Sequence, residues 1–177
     1  MQKGYHQVIF MLRHPLDTLF SNFFWWHHCL SIKNSHSLGI SSLYRNLDDF
    51  IEFLEINIQD FENFIYTGEI TPGNNGFGKF LTFSEFLIET INWMQLNNVH
   101  VFKFEDFLVD YDAQIERLEY IFSPIYKYRL TKSRILGKNN NYIYICQNSN
   151  IVKNTILKNL RKNSKFIYDL NYEIELK

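Results

Sequence analysis

The chain has 177 residues, a formal net charge of −1 and an apolar fraction of 46%. This length is enough for one domain with a sizeable core. The near-neutral charge argues against a nucleic-acid partner, because it supplies no general electrostatic attraction to a polyanion. Two cysteines, Cys29 and Cys146, are too few for a disulfide framework and too far apart for a C-x-x-C metal site. We therefore predict a cytoplasmic protein without a bound metal.

The N-terminal part of the sequence carries no secretory signal. Residues 1–7 are polar, and the apolar stretch after them is interrupted by Arg13 and Asp17. The aromatic run at residues 23–26 reaches His27 before about 20 apolar residues have accumulated. The sequence therefore predicts no transmembrane segment. An amphipathic helix at a membrane surface is the alternative for this run, although its polar face lacks the usual Lys and Arg residues.

A strand, an arginine and a helix follow one another near the N-terminus. Residues 8–12, Val-Ile-Phe-Met-Leu, predict a strand buried on both faces, as in a parallel sheet. Pro15 favours the first turn of a helix, and Asp17 complements its dipole. Ser21 lies roughly 10 Å further along this helix, within reach of the long Arg13 side chain. A guanidinium, a hydroxyl and free helix N–H groups suit a phosphate monoester. The alternative is that Arg13 is only a salt-bridge partner.

These residues resemble a known family. Residues 13–21, Arg-His-Pro-Leu-Asp-Thr-Leu-Phe-Ser, are similar to the R-x-P-x-D-x-x-x-S segment of PAPS-dependent sulfotransferases, which binds the 3′-phosphate of 3′-phosphoadenosine 5′-phosphosulfate (PAPS). Residues 99–107 resemble the family's strand that ends in Y-E-D-L and leads into a helix. Residues 170–173, Leu-Asn-Tyr-Glu, resemble its L-G-Y-E ending. Arg13 and Ser21 match the cofactor-binding arginine and serine.

The resemblance implies an α/β fold, a P-loop-like doubly wound parallel sheet flanked by helices. It also implies transfer of a sulfuryl group from PAPS, the co-substrate, to a hydroxyl or amine of a small-molecule or glycan acceptor, without a metal. In the family a strand, a P-K-S-G-T loop and a helix precede the arginine motif, and many members place a catalytic base between them. Only twelve residues precede Arg13, and none fits this loop.

We therefore expect residues 1–177 to form a partial sulfotransferase domain, truncated at the N-terminus, with no catalytic residue identified and little activity by itself. Apolar surface left open would promote self-association or binding of a complementing N-terminal segment. The leading alternative is an inactive remnant that binds a nucleotide or a protein. A mainly helical interaction protein is a weaker alternative. An in-frame strand and P-K-S-G loop encoded upstream of Met1 would indicate a split gene or a misplaced start.

Helical spacing predicts further elements in chain order. The helix that starts near His14 has one broad apolar face for the core, formed by Leu16, Leu19, Phe20, Phe23, Phe24 and His27. Residues 47–66 predict one amphipathic helix, and residues 68–79 predict a loop because of their Pro and Gly content. A helix after Ser84 then leads into a strand beginning at Val99, as βαβ connections require.

Asp112 is predicted to cap a further helix. Residues 126–150 are polar and rich in Asn, and predict a solvated loop. Many sulfotransferases have a basic, glycine-containing loop in this region that contacts the 3′-phosphate. The match is poor, so solvation is the preferred interpretation of Arg134 and Lys138.

Two clusters of polar side chains suggest other chemistry but fit it badly. Residues 27–29, His-His-Cys, are consecutive on a helix, so their side chains point about 100° apart and cannot readily hold one metal. Glu105 and Asp106 are predicted on a strand and on opposite faces, which favours a structural hydrogen bond over acid–base catalysis. Phe104 matches the family's tyrosine beside the adenine, and its ring could still stack there.

Overall fold

The computed structural model describes residues 7–31, 46–72, 76–122, 141–170 and 172. Its elements in chain order are β1 (Val8–Leu12), α1 (Pro15–Ser31), α2 (Leu47–Ile56), α3 (Ile58–Thr67), β2 (Glu69–Ile70), β3 (Gly78–Lys79), α4 (Phe83–Met94), β4 (Val99–Lys103), α5 (Phe104–Val109), α6 (Tyr111–Phe122), α7 (Asn141–Asn148) and α8 (Asn150–Asp169).

The described residues cluster in two compact units. We call the first the strand unit; it falls within Met1–His14 and Asn92–Asn139. The second, the helical unit, falls within Pro15–Ile91 and Asn140–Lys177. The described residues are mostly helical, and they include a small two-stranded parallel sheet with helices, which agrees with the α/β class.

The strand unit is built on the pairing of β1 with β4. The two strands are parallel, with Val8 opposite Val99 and Leu12 opposite Lys103. The predicted strands at residues 8–12 and after Val99 are therefore confirmed. The prediction that β1 is buried on both faces is wrong, because Ile9 and Met11 are 42% and 49% exposed. Alternate side chains of a strand face opposite sides, so one side of β1 faces solvent.

Two helices complete the described part of the strand unit. Phe102 of β4 is fully buried and packs against Phe107 of α5, with ring centroids 5.9 Å apart. α6 is capped two residues earlier than the sequence suggested. The Asp110 side chain accepts a hydrogen bond from the backbone N–H of Ala113 at 3.1 Å, so Asp110 and not Asp112 occupies the capping position.

The helical unit has an aromatic core around α1. All six residues of the predicted apolar face are buried, which confirms that prediction. Phe23 lies at the centre: its ring centroid is 5.8 Å from Phe53 of α2, and 5.1 and 5.8 Å from Phe61 and Phe64 of α3. Aromatic pairs at these distances add stability beyond the area that they bury.

Residues 47–66 form two helices and not the single helix predicted. Asn57 interrupts the helix, with φ −106° and ψ 27°, and its side-chain amide donates to the Phe53 carbonyl at 2.8 Å. Asn side chains compete in this way with the helical hydrogen bonds of the backbone. α3 ends at Gly68, whose left-handed φ of 72° is typical of a glycine C-cap.

Two further predictions about loops need correction. Within residues 68–79, β2 and β3 pair in antiparallel fashion, with Glu69 opposite Lys79 and Ile70 opposite Gly78. Within residues 126–150, α7 covers the last part and buries Tyr142, Ile145 and Cys146. Arg134 and Lys138 lie outside the described residues, so their predicted solvation is untested.

α8 is the C-terminal helix of the described part of the helical unit. Ser149 caps it by accepting a hydrogen bond from the backbone N–H of Val152 at 3.3 Å. Its buried positions recur every three or four residues, as one face of a helix requires; they are Val152, Thr155, Ile156, Asn159, Leu160, Asn163 and Ile167.

Candidate functional site

Arg13 lies directly after β1 in the strand unit. Because Leu12 is paired with Lys103 in parallel register, Arg13 and Phe104 follow their strands at the same edge of the sheet. The guanidinium carbon of Arg13 lies over the Phe104 ring, 5.3 Å from its centroid. This distance permits a cation–π interaction, which holds the guanidinium at this edge without neutralising its charge.

The charge of Arg13 is not paired with a carboxylate in the described parts of the chain. The ion pairs found there join His27 to Asp60 and Lys79 to Glu69. The alternative that Arg13 serves only as a salt-bridge partner is therefore not supported by any ion pair among these residues. Arg13 is half-buried, and a partly desolvated guanidinium attracts anions more strongly than one in bulk water.

Glu105 connects the ends of the two strands. One of its carboxylate oxygens, Oε1, accepts a hydrogen bond at 2.8 Å from the backbone N–H of His14. This contact confirms the structural role predicted for Glu105. The predicted location was wrong: Glu105 and Asp106 lie in the first turn of α5, since β4 ends at Lys103. Their side chains therefore belong to a helix, where acidic residues near the N-terminus are favoured.

Ser21 belongs to the helical unit and is exposed on α1. α1 begins at Pro15, as predicted. Arg13 and Ser21 belong to different units, so the relation between them rests on the sequence motif.

The structure gives Asp17 a role that sequence reasoning missed. Asp17 is buried, and its Oδ1 accepts a hydrogen bond at 2.9 Å from the backbone N–H of Tyr142, in the first turn of α7. The sequence indicated only that Asp17 complements the dipole of its own helix. Because the two residues are 125 positions apart, no local pattern in the sequence indicates this contact.

The surroundings of Phe104 were also missed. The resemblance placed it at the family's tyrosine position beside the adenine, where its ring could still stack; in the structure the Arg13 side chain lies over this ring. The sequence does contain one signal of this contact, because a cation follows one of the two paired strands and an aromatic residue follows the other. Interpreting this signal requires the strand register.

His27 of α1 is packed in the aromatic core. His27 lies 5.1 Å from Phe53, measured between ring centroids, and its Nε2 is 3.4 Å from Oδ2 of Asp60. Burial lowers the pKa of His27 below its ordinary value, and the nearby Asp60 carboxylate only partly opposes this shift. In the described ranges no group of three or more His, Cys, Asp or Glu side chains could hold a metal ion.

No helix in the described parts of the chain is both long enough and apolar enough to span a bilayer. A comparison with protein-family models, with curated proteins and with solved structures found no match to this chain.

Proposed function

We propose that this chain is a sulfotransferase-family domain that binds PAPS by its 3′-phosphate. The observation that carries the proposal is the Arg13 guanidinium at the carboxyl edge of the β1–β4 pair, with no carboxylate partner in the described residues. In this proposal β1 and β4 are two strands of a P-loop-like, doubly wound sheet.

The chemistry of the edge supports a phosphate ligand. In open α/β sheets, ligands bind beyond the carboxyl ends of the strands. A phosphate monoester carries a charge of about −1.5 to −2 at neutral pH, and a guanidinium can donate two parallel hydrogen bonds to it. The Phe104 ring beneath Arg13 supports the side chain of the cation but offers no competing anion.

Ser21 is the second anchor in the proposal, and its support is the sequence motif alone. Its exposed hydroxyl is available as a donor. The main alternative is a catalytically inactive module that binds a nucleotide or a protein. The motif supplies anchoring of the 3′ end, whereas the rate of sulfuryl transfer depends on groups that act on the transferring sulfuryl. We therefore propose nucleotide binding for the chain by itself, and transfer only with groups that residues 13–21 do not include.

Calorimetric titration with adenosine 3′,5′-bisphosphate and adenosine 5′-phosphate tests the nucleotide site. The parent chain should bind the bisphosphate more tightly. Arg13→Ala should weaken bisphosphate binding about tenfold or more, since a hydrogen bond to a charged group contributes about 1.5–3 kcal/mol, and should leave the monophosphate unaffected. Ser21→Ala should weaken the bisphosphate alone, by a smaller factor.

Arg117→Ala is the matched control. Arg117 is also an arginine of the strand unit, and its guanidinium carbon lies over an aromatic ring, 4.3 Å from the Phe102 centroid. It follows neither strand, so its removal should leave both affinities unchanged. Equal affinity of the parent chain for the two nucleotides would refute the proposal, as would equal effects of Arg13→Ala and Arg117→Ala.

A further inference from the structure

The helical unit contains a cavity of about 210 Å³ beside α1. Five of the eight described residues that line it are aromatic. The eight are Leu19, Asn22, Trp26, Phe64, Phe80, Leu81, Phe83 and Phe86. It involves neither Arg13 nor Ser21, so the nucleotide proposal does not account for it.

The aromatic rings form walls against which another flat ring could pack. Trp26 and Phe80 are stacked, with centroids 4.6 Å apart and an interplanar angle of 27°. The Phe64 ring meets Phe80 edge-on, at 6.2 Å and 74°. Phe64 and Phe83 are buried, whereas Trp26 and Leu81 are 38% and 52% exposed. The cavity therefore has a closed aromatic floor and a rim that solvent reaches.

Asn22 supplies a polar group at this aromatic surface. Leu19, Asn22 and Trp26 are three and then four residues apart, so they share one face of α1. The Asn22 side chain is half-buried and makes no hydrogen bond with the part of the chain that the structure describes. An amide held beside apolar surface gains from a hydrogen-bond partner. A few polar groups, here the Asn22 amide and the Trp26 indole N–H, in an otherwise apolar concavity are typical of a small-molecule site.

We propose that this cavity binds a small planar aromatic compound with one polar group, of about the size of indole. The ring packs among Phe64, Phe80 and Phe83, and its polar group pairs with the Asn22 amide. The volume is sufficient, because an apolar cavity of about 150 Å³ in another protein takes up benzene. Water is a poorer occupant, since it needs two to four polar partners, and most of the described lining is apolar.

Titration of the full chain with indole, followed by ligand-observed NMR or calorimetry, tests this site. Indene has the same ring shape without the N–H group. The parent should bind indole saturably at one site, and more tightly than indene. Asn22→Leu preserves side-chain size; it should weaken indole binding about fivefold, the typical effect of one neutral hydrogen bond, and leave indene binding unchanged.

Trp26→Ala removes a wall of the cavity and should weaken both ligands about tenfold or more, because it removes ring stacking as well as buried area. Trp25→Ala is the matched control: Trp25 is the neighbouring residue, is 42% exposed, and does not line the cavity. It should leave both affinities unchanged. If Trp26→Ala does not fold, Leu81→Trp at the exposed rim provides a second test, because the added bulk should block entry.

Absence of saturable indole binding by the parent would overturn the proposal. So would equal effects of Trp26→Ala and Trp25→Ala, full indole affinity in Asn22→Leu, or unchanged binding by Leu81→Trp. Adenosine 3′,5′-bisphosphate is titrated in parallel with the same preparations. Indole binding without nucleotide binding would refute only the proposed function, and nucleotide binding without indole binding would refute only this inference.

Discussion

Replacing Gly68 with alanine should destabilise the helical unit through the backbone. Gly68 has a left-handed φ of 72°, and a Cβ atom added there would lie 2.0 Å from the carbonyl oxygen of Phe80. For a residue with a Cβ atom, the left-handed backbone conformation is unfavourable by roughly 1–2 kcal/mol of conformational free energy. Relief of the clash would displace Phe80, whose backbone N–H donates to the Gly68 carbonyl at 2.8 Å. Weakening that hydrogen bond adds about 1 kcal/mol.

The expected loss of unfolding free energy in Gly68→Ala is therefore about 2–3 kcal/mol, measured by urea unfolding followed by circular dichroism. Gly68→Asn separates the two causes, because asparagine tolerates the left-handed region but still carries a Cβ. If the contact with Phe80 dominates, both variants lose similar stability. Thr71→Ala, at a nearby exposed position, is the control. A Gly68→Ala midpoint equal to that of Thr71→Ala would refute the reasoning.

Two further predictions concern titration and thiol chemistry. Burial depresses the pKa of His27, so the unfolded protein binds more protons than the folded protein in mildly acidic solution, and stability should fall as the pH drops below about 6.5. His27→Gln should lose this part of the pH dependence in urea midpoints measured between pH 7.5 and 5.5. A slope of midpoint against pH that is unchanged in His27→Gln would contradict the prediction. Burial raises the pKa of the Cys146 thiol to about 12. A thiol reagent should therefore modify the exposed Cys29 in the native protein and Cys146 only after unfolding. Rapid modification of Cys146 in the native protein would disprove this prediction.

Elements with a strong periodic pattern could be predicted from the sequence. The apolar face of α1 and the strand β4 have the spacing and composition that helices and strands require. The break between α2 and α3 could not be predicted in this way, because the side chain of Asn57 bonds to the backbone one turn earlier without disturbing the apolar pattern. α7 was missed for a different reason, since the Asn-rich residues that lead into it are typical of a loop.

The candidate sites depended more strongly on contacts distant in sequence. The motif at residues 13–21 identified Arg13, but its position over Phe104 follows from the β1–β4 register, which no local pattern encodes. The spacing of Leu19, Asn22 and Trp26 on α1 is visible in the sequence, whereas the opposing wall comes from residues 80–86. A single apolar face of a helix does not reveal whether its neighbours fill all of the space beside it.

The contact between Glu105 and His14 bears on the sign of the charge at the strand edge. Glu105 is the carboxylate next in sequence to Phe104, and its Oε1 accepts from a backbone N–H instead of forming an ion pair with Arg13. Had Glu105 paired with Arg13, the pair would have been neutral, and a phosphate would have had to displace a carboxylate to bind. Among the described residues no carboxylate pairs with Arg13, whose guanidinium lies over an aromatic ring, so an anion that approaches Arg13 displaces none of these carboxylates. The proposed phosphate affinity should therefore fall as salt is added, because a half-buried guanidinium remains accessible to counterions.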